Sequence, residues 1–189
     1  VTQVQPTPTT APAPIAAPRE PGCTVITRQT DGDPTQQSPI PAVGVKDWVK
    51  GPSGTPVTII EYSDFQCPGC AFIAPVLVRL QEKYPDQVRL VFRHYPLIVV
   101  YDKAALAAQA AEAAGLQDRF WEMHGLLFSR QQEWAEMSPD EFQAWLVARA
   151  TDLDLNVEQF TTDLTSQALV DRVQQAYQQN YDLRMPGAP

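Results

Sequence analysis

The sequence predicts an α/β fold in which one strand–helix–strand unit is followed by a long, wholly helical stretch. Two short apolar, β-branched runs, residues 57–62 and 88–95, flank a segment of helical length. From residue 101 to about 182 helical patterning is continuous, broken only by capping residues. Proline divides the chain, since nine of its 18 prolines fall before residue 44. With 44% hydrophobic and 19% charged residues in 189, the rest has the composition of one ordinary globular domain. A formal net charge of −8 argues against nucleic acid as a partner, because phosphate binding needs clustered Lys and Arg.

Residues 1–43 read as a disordered linker. Val1 to Pro21 is rich in Thr, Pro and Ala, so it is expected to be extended and partly polyproline-like. Cys23-Thr24-Val25-Ile26-Thr27-Arg28 has the composition of a short strand, which Asp31-Gly32-Asp33-Pro34 breaks off. A tether and a processing remnant are equal readings of this segment. No window approaches the roughly 18 apolar residues that span a bilayer. No charged and then apolar leader is visible at Val1; a leader or anchor already removed would also leave a chain that lacks an initial Met.

The globular domain is expected over residues 44–189, starting near Val45. Gly51-Pro52-Ser53-Gly54-Thr55-Pro56 is turn chemistry, and Val57 to Tyr62 follows as a buried strand. Cys67 opens a helix running to about Tyr84, with a kink expected at Pro75. Pro85-Asp86 turns the chain into a second core strand ending near Tyr95. A strand–helix–strand unit of this length pairs its strands in parallel. The Ala-dense segment from Lys103 to Ala114, ended by Gly115, lets its neighbours pack closely. Phe120, His124, Leu127 and Phe128 form one helical stripe. Ser138-Pro139-Asp140-Glu141 is a capping box with proline at the first helical position. Asn156 caps a further helix, and Ser166 to Tyr181 forms the last.

Cys67-Pro68-Gly69-Cys70 sits directly after a strand and at the start of a helix. At that place the backbone N–H groups and the macrodipole favour an anion on Cys67. Pro68 needs no N–H, and Cys70 falls one turn on, on the same face. A free thiol of pKa about 8.5 is only about 3% ionised at pH 7. A helix N-terminus contributes about 1 kcal/mol, up to about 2 when partly buried, and so lowers that value by roughly one unit. A hydrogen bond from the Cys70 thiol adds to it. Cys67 is then the attacking sulfur and Cys70 the resolving one. The alternatives are a zinc pair and an inert disulfide. Zinc usually takes four ligands, whereas the third cysteine lies in the linker and His94 and His124 have no ligand spacing; no metal or organic cofactor is expected.

The segments Glu61-Tyr62-Ser63-Asp64-Phe65-Gln66-Cys67-Pro68-Gly69-Cys70 and Phe92-Arg93-His94-Tyr95-Pro96-Leu97 stand ahead of the Ala-rich helix. With Phe120-Trp121 and Leu126-Leu127-Phe128 beyond it, this order resembles the DsbA-like branch of the thioredoxin superfamily, from about residue 45 to the end. The resemblance implies a thioredoxin-like sheet with a helical insertion over about residues 101–183. It places a buried acid six residues before the first cysteine, here Glu61, whose carboxyl should be raised by desolvation and exchange a proton with Cys70. It also makes Pro189 a cis-proline facing the dithiol and Ala188 the residue that pairs with a substrate peptide. After that proline the family continues with two strands and a helix that this chain lacks, so a fragment is expected.

Cys23 has no lipobox ahead of it and is expected to pair with a cysteine beyond residue 189, or to have no role. His94 and His124 are read as core or groove histidines, and Trp121, Trp134 and Trp145 as core, although the resemblance implies a groove beside the dithiol. The functional expectation is an extracytoplasmic enzyme that exchanges disulfides with unfolded or extended protein substrates and is served by a membrane redox partner. Pro68-Gly69 matches neither the thioredoxin Gly-Pro nor the histidine-bearing dipeptide of strong oxidants. An oxidase is the first expectation and a reductase or isomerase the alternative. A non-catalytic binding module with a structural disulfide is the rival from another class.

Overall fold

The computed structural model of the protein describes residues 40–185. Three strands form one sheet: β1 (Trp48–Lys50), β2 (Val57–Ser63) and β3 (Val88–His94), in the order β1-β3-β2. The expected strand–helix–strand unit is present. β2 runs parallel to β3 from Val57 opposite Val88 to Ser63 opposite His94, and α1 (Pro68–Lys83) connects them. β3 is the central strand and buries Leu90, Val91 and Phe92 almost completely. Gly51 opens the turn before β2 at φ +101°, where a Cβ would press on the Val88 carbonyl and the Gln81 side chain.

β1 pairs antiparallel with β3, and the sequence did not announce it. Three residues are too few for a period to register. Trp48 holds the strand from outside the sheet, stacked on Phe120 with ring centroids 4.3 Å apart. Arg93 holds the approach to it: its guanidinium pairs with the Asp47 carboxylate at 2.7 and 2.9 Å and donates to the Pro41 and Ala42 carbonyls and to the Tyr62 hydroxyl. Among the described residues no strand follows β3, so β2 stands at one edge of the sheet.

Six helices follow: α2 (Ala104–Gly115), α3 (Phe120–Ser129), α4 (Gln131–Trp134), α5 (Pro139–Asp152), α6 (Val157–Leu164) and α7 (Gln167–Asp182). The predicted caps form. Ser138 and Glu141 close a reciprocal capping box, and Asn156 and Ser166 accept the backbone N–H groups of Gln159 and Leu169. α2 is the hub of this layer, packing on α3, α6 and α7. Its alanines at 107, 108, 110, 111, 113 and 114 are all buried, and with no side chain beyond Cβ they let three helices approach at once. α1 continues past Pro75 to Lys83.

The segment Cys23 to Arg28 and most of the linker lie outside the described residues, as do Ala188 and Pro189. No helix among the described residues is long and apolar enough to cross a membrane.

Candidate active site

Cys67 is the N-cap of α1. Its backbone is extended, φ −73° and ψ 123°, and Pro68 takes the first helical position, where no N–H is required. The turn before it closes with Cys67 N–H donating to Asp64 O at 3.2 Å. Pro68 and Gly69 face solvent at the surface of the turn. The two cysteines stand as thiols, not joined in a disulfide, and they differ in environment. Cys67 keeps 7% of its surface exposed, whereas Cys70 has 0%.

Burial pushes the Cys70 thiol up to about 12. The Ser63 hydroxyl and the Asp64 N–H, which donates to Cys70 Sγ at 3.4 Å, pull the other way, while the Cys67 sulfur reinforces the rise. Cys70 therefore keeps its proton at neutral pH and presents it to Cys67. Glu61 is 5% exposed, and desolvation lifts its carboxyl to about 7, against a smaller opposing pull from Ser63. Glu61 and Ser63 are two residues apart on β2 and so share a face. Ser63 thus neighbours both the Glu61 carboxyl and the Cys70 sulfur. Neither Glu61 oxygen nor Ser63 Oγ makes a hydrogen bond of good geometry. A carboxyl so poorly solvated ionises reluctantly and is poised to trade a proton near neutral pH.

Three residues that sequence reasoning passed over build the walls of this site. Asp64 accepts the Gln66 N–H at 2.7 Å and the Leu97 N–H at 2.6 Å. The Gln66 side chain accepts the Lys103 N–H at 2.8 Å and donates to the Asp102 carboxylate at 3.0 Å. Gln131, on α4, reaches across to donate to the carbonyls of Phe65 and Cys67 at 2.7 and 3.0 Å. Only the adjacency of Asp64 and Gln66 to the cysteines signalled them. Gln131, 64 residues away from Cys67, had no signal at all.

His124 is a core residue, as read. It is buried among Phe65, Phe92 and Phe128, and desolvation, then the charges of His94 and Lys50, lowers it to about 3, so it is neutral. His94 is also buried, but not inert: its Nε2 lies 2.9 Å from Glu112 Oε1. Trp134 is wholly buried and donates to Leu127 O, while Trp121 and Trp145 pack on the core. No group of three or more His, Cys, Asp or Glu among the described residues is arranged to hold a metal ion.

A strand–helix–strand sheet with a dithiol capping its helix is the architecture of the thioredoxin superfamily. The family model described as thioredoxin matches residues 44–184. The fold is similar to α-DsbA1 of Wolbachia pipientis, with a TM-score of 0.66 and 19% identity over 75% of this chain and 71% of that one. It is also similar to a thioredoxin-like oxidoreductase from Silicibacter pomeroyi, with a TM-score of 0.60 and 26% identity over 76% and 77%. In sequence the chain is 40% identical over 136 residues to the Na(+)/H(+) antiporter NhaA 3 of Salinispora tropica, covering 72% of this chain and 20% of that protein. It spans about a fifth of the length of the curated relatives it matches. The chain belongs to the thioredoxin family.

Proposed function

We propose that this chain is a thiol–disulfide oxidoreductase that works outside the cytoplasm and oxidises extended protein chains. The observation that carries this reading is the asymmetry of the dithiol: Cys67, at a helix N-terminus, keeps 7% of its surface exposed, whereas Cys70 is wholly buried with its proton held. In the oxidising direction a substrate thiolate attacks Cys67 of the Cys67–Cys70 disulfide. That bond breaks, and its electron pair leaves on Cys70, which takes a proton from the Glu61 carboxyl beside Ser63. A second substrate thiolate then attacks the substrate sulfur of the mixed disulfide, and Cys67 departs as thiolate. The substrate has lost two electrons and the dithiol has gained them. A membrane redox partner bearing its own disulfide takes them away.

Ala188 and Pro189, outside the described residues, are the proposed peptide-guiding pair, and residues 1–43 the proposed tether. A membrane-adjacent setting is supported by the likeness to a segment of proteins named as Na(+)/H(+) antiporters.

The test is catalytic. The full chain should refold a reduced, disulfide-dependent substrate, and Cys67→Ser should abolish this. A non-catalytic module would leave Cys67 as slow towards an alkylating agent at pH 6 as cysteine in a peptide. The reduction potential then fixes direction: a value near about −120 mV marks an oxidant and one near about −270 mV a reductant.

A further inference from the structure

Opening of the internal disulfide leaves an electron pair on Cys70, a sulfur wholly buried and so cut off from bulk water. An anion formed there needs a donor already in place, since none can be recruited from solvent. Such a donor is present: Asp64 N–H donates to Cys70 Sγ at 3.4 Å. The peptide unit that carries this N–H is held at its other end, where the Ser63 carbonyl accepts the Tyr95 N–H at 2.8 Å and continues the pairing of β2 with the chain leaving β3. Across a trans peptide the carbonyl and the N–H point to opposite sides, so tying the carbonyl towards β3 turns the N–H away from it. Asp64 is clamped beyond that unit as well. Its Oδ1 accepts the Gln66 N–H at 2.7 Å, its Oδ2 the Leu97 N–H at 2.6 Å, and its carbonyl the Cys67 N–H at 3.2 Å.

We propose that Asp64 is a further catalytic residue: its main-chain N–H holds the charge on Cys70 between rupture of the disulfide and arrival of the proton, and its carboxylate aims that N–H. The inference rests on the reading of Cys67 and Cys70 as a reacting pair. A substrate thiolate bonds to Cys67 Sγ, the Cys67–Cys70 bond breaks, and its two electrons go to Cys70 Sγ, which the Glu61 proton then converts to the thiol. A hydrogen bond from N–H is weak to the neutral sulfur of a thiol or a disulfide and strengthens as that sulfur gains charge. Its effect is therefore greatest in the transition state, and it speeds opening and closing of the disulfide alike.

Replacing Asp64 by malate, its α-hydroxy acid, turns the N–H into an ester oxygen and keeps the carboxylate. In the full chain, glutathione should then open the Cys67–Cys70 disulfide about tenfold more slowly, and Cys70 should close the Cys67–glutathione mixed disulfide more slowly by the same factor. The equilibrium constant between those two forms should stay within about twofold, which a general loosening of the site would not preserve. Asp64→Ala keeps the N–H and removes the carboxylate that aims it. Loss of a negative charge beside the dithiol favours an anion on Cys70 by Coulomb's law, whereas loss of aim disfavours it. Opening about threefold slower is expected, and lactate at position 64, which lacks both groups, should be no slower than malate. Faster opening in Asp64→Ala, or lactate slower than malate, overturns the role of the carboxylate. Unchanged rates for malate, with wild-type circular dichroism and with reduced substrate still refolded, overturn the inference and leave the oxidoreductase reading in place. If the wild-type chain refolds no reduced substrate but malate still slows exchange with glutathione, the donor stands and the oxidoreductase reading falls.

Discussion

At the scale of single residues the site works by unequal burial of similar groups. Glu61 has its carboxyl raised from 4.5 to about 7 by desolvation, so the folded chain binds its proton more tightly than the unfolded chain does. Its contribution to stability is therefore complete below the unfolded value and is lost as pH rises through the folded one. Glu61→Gln keeps the shape and removes the ionisation. It should stabilise the protein on the order of 3 kcal/mol at pH 8, and the gain should vanish by about pH 4. Chemical denaturation at the two pH values measures this; equal gains at both would show that burial of the charge is not the cause. The same substitution should slow disulfide exchange on the order of 100-fold, because Cys70 loses its proton donor and acceptor.

Among the elements, α2 shows how a helix of alanines becomes a hub. A chain of small side chains buries little area per residue, but it lets α3, α6 and α7 pack at short range, so the apolar mass comes from its neighbours. Its last residue, Gly115, lies under the Trp48 ring, and a Cβ there would collide with it. The ring has nowhere to go, since it is stacked on Phe120 and its Nε1 donates to Glu112 at 2.8 Å. Gly115→Ala should thus cost about 1–3 kcal/mol despite alanine's better helix propensity. In a Trp48→Ala background the penalty should disappear, which a double-mutant cycle of unfolding free energies will read.

For the molecule as a whole, one buried carboxylate joins sheet to helices. Glu112 of α2 receives Trp48 from β1, His94 from β3 and Arg172 from α7 at 2.8, 2.9 and 2.7 Å. Burial presses its carboxyl upward, but these three partners outweigh that and hold it below the usual value. Its contribution is present above the unfolded value and is lost as pH falls, the opposite sense to Glu61. Together the two place their joint optimum at the shared unfolded value of 4.5, in a profile of unfolding free energy against pH. Glu112→Ala should cost on the order of 3–5 kcal/mol by leaving the His94 and Arg172 groups without their acceptor. A loss under about 1 kcal/mol would mean that the layers are joined by packing alone.

What the sequence by itself determined is local in origin. The two long strands and their parallel pairing, the helix starts at Pro139, Val157 and Gln167, and Cys67 at a helix N-terminus all follow from patterns spanning a few residues, where propensity, capping and side-chain period act. Even the raised Glu61 could be expected, because a motif of ten residues carried it. Tertiary structure alone decided which distant groups meet. β1 exists because Trp48 finds Phe120 and Glu112; the dithiol turn is braced by Gln131 from α4, and by Asp64 and Gln66, which tie it to a loop more than 30 residues on. Such contacts leave no period in the chain. They are selected by the closing of the fold, which decides which polar groups lose water and must find one another.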